Sequence, residues 1–126
     1  QWEMTSAAIL IINKAEYHDQ NRVKVVFDNN GKALYFSRSL IPSQFKYDAE
    51  VYRHLGIYAY DKKFLLGYNA LPESDWEKSE SLEQLRAIQA GFGIGIFIAE
   101  EAALSIDTPL DLEKIQSYFA AKKFPK

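Results

Sequence analysis

Six residues have types and spacing that could do chemistry. His54 and Tyr58 stand in the run Tyr52-Arg53-His54-Leu55-Gly56-Ile57-Tyr58-Ala59-Tyr60, whose aromatic and β-branched content reads as a strand. Alternation puts His54, Gly56, Tyr58 and Tyr60 on one face, and Arg53, Leu55, Ile57 and Ala59 on the other. Rings and a hydroxyl around a glycine could hold a polar ligand; a solvated face with aromatics covering a helix is the alternative. On this reading Leu55, Ile57 and Ala59 face the core. Arg38 ends another strand, where a guanidinium can fork onto a carboxylate or phosphate, or pair with one of the 17 acidic residues. Glu83 and Gln84 are adjacent in a helix, so they point about 100° apart; one could reach a ligand, or both could be solvated. Asp107 precedes a helix start, which suits a magnesium carboxylate beside phosphates or a carboxylate favoured by the helix dipole.

These residues need elements to position them. Thr5 to Ile12 is nearly continuous in apolar side chains and is expected to be a central strand buried on both faces. Val23 to Phe27 and Ala33 to Arg38 flank Asn29-Asn30-Gly31-Lys32, a turn sequence that makes them a hairpin. Asp61 caps a short helix stopped near Gly67. Ser74-Asp75-Trp76-Glu77 is a capping box, opening one helix over residues 75–90 with Trp76, Leu82, Leu85 and Ile88 on one face. Ile94 to Ala99 is a strand. Gly91, Gly93 and Gly95 precede or lie within it, so they do not form a dinucleotide fingerprint, which follows a strand and opens a helix. Thr108 caps the last helix, with Pro109 in its first position and Leu112, Ile115 and Phe119 as its apolar stripe. Helices alternating with strands, one pair antiparallel, indicate an α/β fold with a mixed sheet and flanking helices.

The chain has 126 residues, 48% of them hydrophobic, with 8 Phe and 8 Tyr. That composition suits one packed domain over residues 1–126. A formal charge of −2 gives no basic footprint for nucleic acid, and zero cysteines exclude disulfides and thiolate metal sites. No apolar run approaches the roughly 20 residues that cross a bilayer, and no basic segment opens a signal peptide. The cytoplasm is the expected compartment.

Four ordered segments carry a family resemblance: Leu34-Tyr35-Phe36-Ser37-Arg38-Ser39 with Ile41-Pro42; Arg53 to Tyr60; Leu82-Glu83-Gln84-Leu85-Arg86; and Ile106-Asp107-Thr108-Pro109 with Asp111-Leu112-Glu113. Together they resemble the carboxyl-terminal half of CMP-Kdo synthetases, the 3-deoxy-manno-octulosonate (Kdo) cytidylyltransferases of lipopolysaccharide synthesis. The resemblance implies half of a Rossmann-like nucleotide-sugar transferase fold. In the family, the anomeric hydroxyl of Kdo attacks the α-phosphate of CTP with magnesium present, giving CMP-Kdo and pyrophosphate. It further implies that Arg38, His54 and Tyr58 line a sugar-acid site, that Glu83 and Gln84 hold sugar hydroxyls, and that Asp107 is one of two magnesium carboxylates. The family's nucleotide loop, cytosine pocket and second metal carboxylate have no counterpart in this sequence. The expectation is therefore a partial cytidylyltransferase fold, inactive alone, that binds a Kdo-like sugar acid weakly. It is expected to form a homodimer or pair with a partner chain. A free-standing interaction module is the alternative. The opening Gln1 fits a processed or partial chain.

Overall fold

The computed structural model describes residues 2–100 and 108–121. Its frame is one five-stranded mixed sheet. The strands are β1 (Met4–Leu10), β2 (Lys24–Phe27), β3 (Ala33–Ser37), β4 (Tyr52–Tyr60) and β5 (Ile94–Ile98), in spatial order β3-β2-β4-β1-β5. β1 runs parallel to β5 and antiparallel to β4, and β2 pairs antiparallel with both β3 and β4. The expected α/β architecture is the one found.

The β2–β3 hairpin forms where the turn chemistry puts it. Asp28 accepts the amides of Asn30 and Lys32 through Oδ1, and Gly31 takes a φ of 80°, a conformation that favours glycine. The turn then reaches across to β5, where the Ile96 amide donates to the Gly31 carbonyl at 2.7 Å. A Cβ on Gly95 would fall 2.2 Å from the Trp2 ring, so this glycine and Gly93 seat a tryptophan and cradle no phosphate.

The opening strand departs from expectation. β1 ends at Leu10, Ile12 is 89% exposed, and burial alternates along the strand, with Met4, Ser6 and Ala8 buried. β1 has neighbours on both edges, and among the described residues its Met4, Ser6 and Ala8 face is buried while Thr5, Ala7 and Ile9 on the other are half-buried. The buried face carries the core: Met4, Ala8, Val25, Phe36 and Ile94 from the sheet meet Phe64, Tyr68 and Leu85 from the helices and Leu82 from the link before Leu85.

Three helices supply that cover: α1 (Lys62–Tyr68), α2 (Asp75–Glu80) and α3 (Leu85–Gln89). Asp61 caps α1 by accepting the Phe64 amide, and the capping box of α2 is complete in both directions between Ser74 and Glu77. The single helix expected over residues 75–90 is two. Ser81 adopts φ 53°, ψ 50°, the left-handed conformation that ends α2, and α3 begins four residues later. The capping signal is the one expected, and the interruption has a tertiary cause in Arg38. A last helix, α4 (Pro109–Ala121), opens on a reciprocal Thr108–Asp111 pair, as expected. Of its expected stripe only Ile115 is buried; Leu112 and Phe119 remain 42% and 49% exposed.

Candidate functional site

β4 decides the site, through an irregularity in its pairing with β1. Met4, Thr5 and Ser6 oppose Tyr60, Ala59 and Tyr58, but the next residue, Ala7, opposes Leu55. Gly56 and Ile57 are therefore extra on β4. Because two residues are inserted, side-chain parity is preserved across the bulge. His54, Tyr58 and Tyr60 lie opposite Ala8, Ser6 and Met4, on the buried face of β1. The expected assignment of faces is thus reversed. The His54 face is the covered one, while Ile57 is 66% exposed. Aliphatic content suggested the other outcome, but the helices pack where the rings are.

The rings form a continuous row. Phe36 meets His54 edge-on with centroids 4.9 Å apart, His54 meets Tyr58 at 5.4 Å, and Tyr58 meets Tyr60 at 6.0 Å. Tyr60 continues the row to Phe64 and Tyr68 of α1. Such pairs contribute about 0.5–1.5 kcal/mol each beyond area burial. Burial lowers the His54 pKa to about 4, so the ring is neutral at pH 7. Tyr58 is pushed well above the usual phenol range, first by burial and then by its neighbours Tyr60, Tyr68 and Glu83. Tyr68 rises to about 12 by burial and by the Glu83 charge.

Glu83 and Gln84 sit in the break between α2 and α3. Glu83 is exposed, and its charge acts on Tyr58, Tyr60 and Tyr68. Its carbonyl accepts the Tyr68 hydroxyl at 2.8 Å. Gln84 is 5% exposed, and its amide nitrogen is buried without a hydrogen-bond partner among the described residues. An unpaired buried donor of this kind costs about 1–3 kcal/mol.

Arg38 holds the break open. Its Nε donates to the Glu80 carbonyl at 2.7 Å, its Nη2 to the Ser81 carbonyl at 3.2 Å, and its Nη1 to the Gln20 carbonyl at 3.0 Å. Carbonyls at a helix end lack intrahelical partners, and a guanidinium satisfies them well. The Glu80 carboxylate closes the contact from the other side, accepting the Arg38 amide and the Ser37 hydroxyl. Lys24, fully buried, donates to the carbonyls of Asp19 and Arg38, and burial lowers its pKa. Beyond the break, Arg86 forks onto Glu77 with bonds of 2.6 and 2.8 Å and lies 5.5 Å from the Tyr68 ring. This pairing draws the Glu77 carboxyl below the usual range.

The structure brings the sequence candidates together in two groups, the ring row of β4 and the α2–α3 break, joined by Glu83. His54 and Tyr58 touch directly, Glu83 reaches Tyr58 and Tyr68 by its charge, Gln84 adjoins it, and Arg38 grips the same break. Asp107 lies outside the described residues. Among the described residues no three of His, Asp and Glu gather as a metal-holding group. Ser6, Tyr68 and Lys24 were missed from sequence. Ser6 was legible only as the polar member of an apolar run, and nothing local marks Tyr68 or Lys24.

A family model described as Cytidylyltransferase matches residues 2–117. The chain belongs to the cytidylyltransferase family. It is 59% identical over 98% of its length to 3-deoxy-manno-octulosonate cytidylyltransferase of Leptospira interrogans serogroup Icterohaemorrhagiae serovar Lai, and 54% identical over 96% to the Leptospira biflexa protein of the same name. An 8-amino-3,8-dideoxy-manno-octulosonate cytidylyltransferase of Shewanella baltica is 46% identical over 95%. Among solved structures, CMP:2-keto-3-deoxy-manno-octonic acid synthetase complexed with CTP superposes with a TM-score of 0.88 at 40% identity, covering 94% of this chain and 49% of that one. The chain spans about half the length of the curated relatives it matches: 50% of the Leptospira interrogans protein and 49% of the Shewanella protein. No helix among the described residues is long and apolar enough to cross a membrane.

Proposed function

We propose that these 126 residues form the sugar-acid-binding part of a Kdo-type cytidylyltransferase acting in the cytoplasm on CTP and a 3-deoxy-manno-octulosonate. The observation that carries this reading is Gln84. A buried amide donor with no partner among the described residues, next in sequence to an exposed carboxylate whose charge acts on Tyr58, Tyr60 and Tyr68, is the donor and acceptor inventory a polyhydroxylated ligand needs. Hydroxyls would bond to Gln84 and Glu83, and rings would pack on Tyr58 and His54. Three of the five guanidinium donors of Arg38 are engaged on carbonyls, which leaves two for the acid's carboxylate. Magnesium, with Asp107 as one carboxylate, belongs to the same proposal for the whole enzyme.

The reading has two tests on the 126-residue chain. Incubated with CTP, Kdo and magnesium, it releases no pyrophosphate above blank; clear turnover would show that the nucleotide site is present after all. Titrated with Kdo and followed by backbone amide shifts, it binds with an affinity no better than roughly millimolar. The shifts cluster at β4 and the α2–α3 break, and Arg38→Ala removes them. Shifts elsewhere, or undiminished in that variant, would sink the sugar-acid reading.

A second reading rests on the uncovered sheet face. Ile57 of β4 and Phe97 of β5, on strands that flank β1, are 66% and 64% exposed, and exposed apolar surface of that kind marks interfaces. It is proposed to bind a second copy of the chain. Light scattering across a concentration series checks it, and a monomer throughout would count against it.

A further inference from the structure

The histidine of the ring row is not free to choose its proton. Ser6, 4% exposed, sits opposite the β4 bulge, and its Oγ has three partners: the Ile57 carbonyl at 2.8 Å, the Leu55 carbonyl at 3.2 Å and His54 Nε2 at 2.7 Å. A hydroxyl has one proton and two lone pairs, whereas a carbonyl can only accept. If the Ser6 proton went to Nε2, a hydroxyl oxygen and a carbonyl oxygen would face each other at 2.8 Å without a proton between them. If the proton goes to the nearer Ile57 carbonyl, Nε2 must be the donor to Oγ, and the two shortest contacts are satisfied, with the Leu55 carbonyl at most sharing the same proton.

We propose that Ser6 is a positioning residue that fixes His54 as the Nε2–H tautomer, leaving Nδ1 with the lone pair as a hydrogen-bond acceptor for a hydroxyl of the ligand. Nδ1 has no hydrogen-bond partner among the described residues. The ring is held neutral by burial, as an acceptor requires. The two-residue bulge serves this arrangement twice. It keeps Tyr58 on the face of His54, and it turns the Leu55 and Ile57 carbonyls onto the hydroxyl that orders the ring. Ser6 is no nucleophile here, because its proton is committed to a carbonyl and its oxygen to Nε2. The acceptor role rests on the sugar-acid reading above; the tautomer does not.

Two-bond proton–nitrogen correlation spectra of the 15N-labelled chain at neutral pH read the tautomer directly. The chain has two histidines, and His18→Gln isolates the His54 signals. The expected pattern is a protonated Nε2 and a bare, pyridine-type Nδ1. A protonated Nδ1 in the wild type would overturn the proposal, whatever the variants do. In Ser6→Ala the pattern shifts toward the other tautomer or a mixture, while Ser6→Thr, which keeps the hydroxyl, retains it. An unchanged pattern in a folded Ser6→Ala chain would also overturn it. Added Kdo moves the Nδ1 resonance, and Ser6→Ala weakens Kdo binding about threefold to tenfold, the effect of one hydrogen bond. If the tautomer is as stated and Kdo leaves Nδ1 unmoved, the acceptor role fails and the Ser6–His54 assignment stands. If Kdo binds at β4 but Nδ1 carries the proton, the site reading survives and this inference does not.

Discussion

On one face of β4, His54, Tyr58 and Tyr60 lie against Phe36 and the α1 residues Phe64 and Tyr68. On the other face Ile57 is two-thirds exposed and Ala59 is open to solvent. By transfer free energy the second face is the better core. The difference shows that burial follows where the helices dock. Here α1 and the α2–α3 pair bring apolar rings that accept a histidine and tyrosines as partners. The imidazole Nε2 is hydrogen-bonded to Ser6 Oγ, so the covered face carries polar atoms at little cost.

The largest break in this contrast should come from Phe36, which is fully buried against His54. Phe36→Ala is expected to destabilise the chain by about 3–5 kcal/mol in urea unfolding. A loss below about 1 kcal/mol would mean that the ring row is not packed.

Acid should come next. His54 has a folded pKa of about 4 against an ordinary value of 6.5. Between those values the unfolded chain binds the proton and the folded chain does not. Stability is therefore fully present above pH 6.5 and falls as pH drops from 6.5 to 4, by about 3 kcal/mol at most. Unfolding curves of wild type and His54→Gln across that window check the assignment. The variant should lose this part of the slope; equal slopes would place the titration elsewhere.

The smallest effect belongs to the open face. Ile57→Thr keeps β-branching at an exposed position and should change stability in dilute solution by less than about 0.5 kcal/mol. The same substitution should reduce any self-association seen by light scattering. A large stability loss with no change in association would erase the contrast between the faces.

Several features were legible because they are local. The Asn-Asn-Gly-Lys turn, the Ser74–Glu77 box, the Asp61 cap and the Thr108–Asp111 helix start each depend on residues within four positions of one another, so the sequence by itself determined them. It also carried the family, because four ordered motifs survive intact. The contact of His54 with Tyr58 follows from their alternation on one strand, whereas periodicity alone left a solvated face open.

Only the tertiary structure decided the rest. The side of β4 that is covered depends on the pairing of Ser6 with Tyr58 and Ala7 with Leu55, across about fifty residues of chain. The continuous helical pattern of residues 75–90 is cut at Ser81 because Arg38, more than forty positions away, takes the Glu80 and Ser81 carbonyls. Local propensity favours the longer helix by only tenths of a kcal/mol per residue, and charge-assisted bonds to carbonyls outweigh that. The partners that set the proton of His54 and the break that presents Gln84 are distant in sequence, and only folding brings them together.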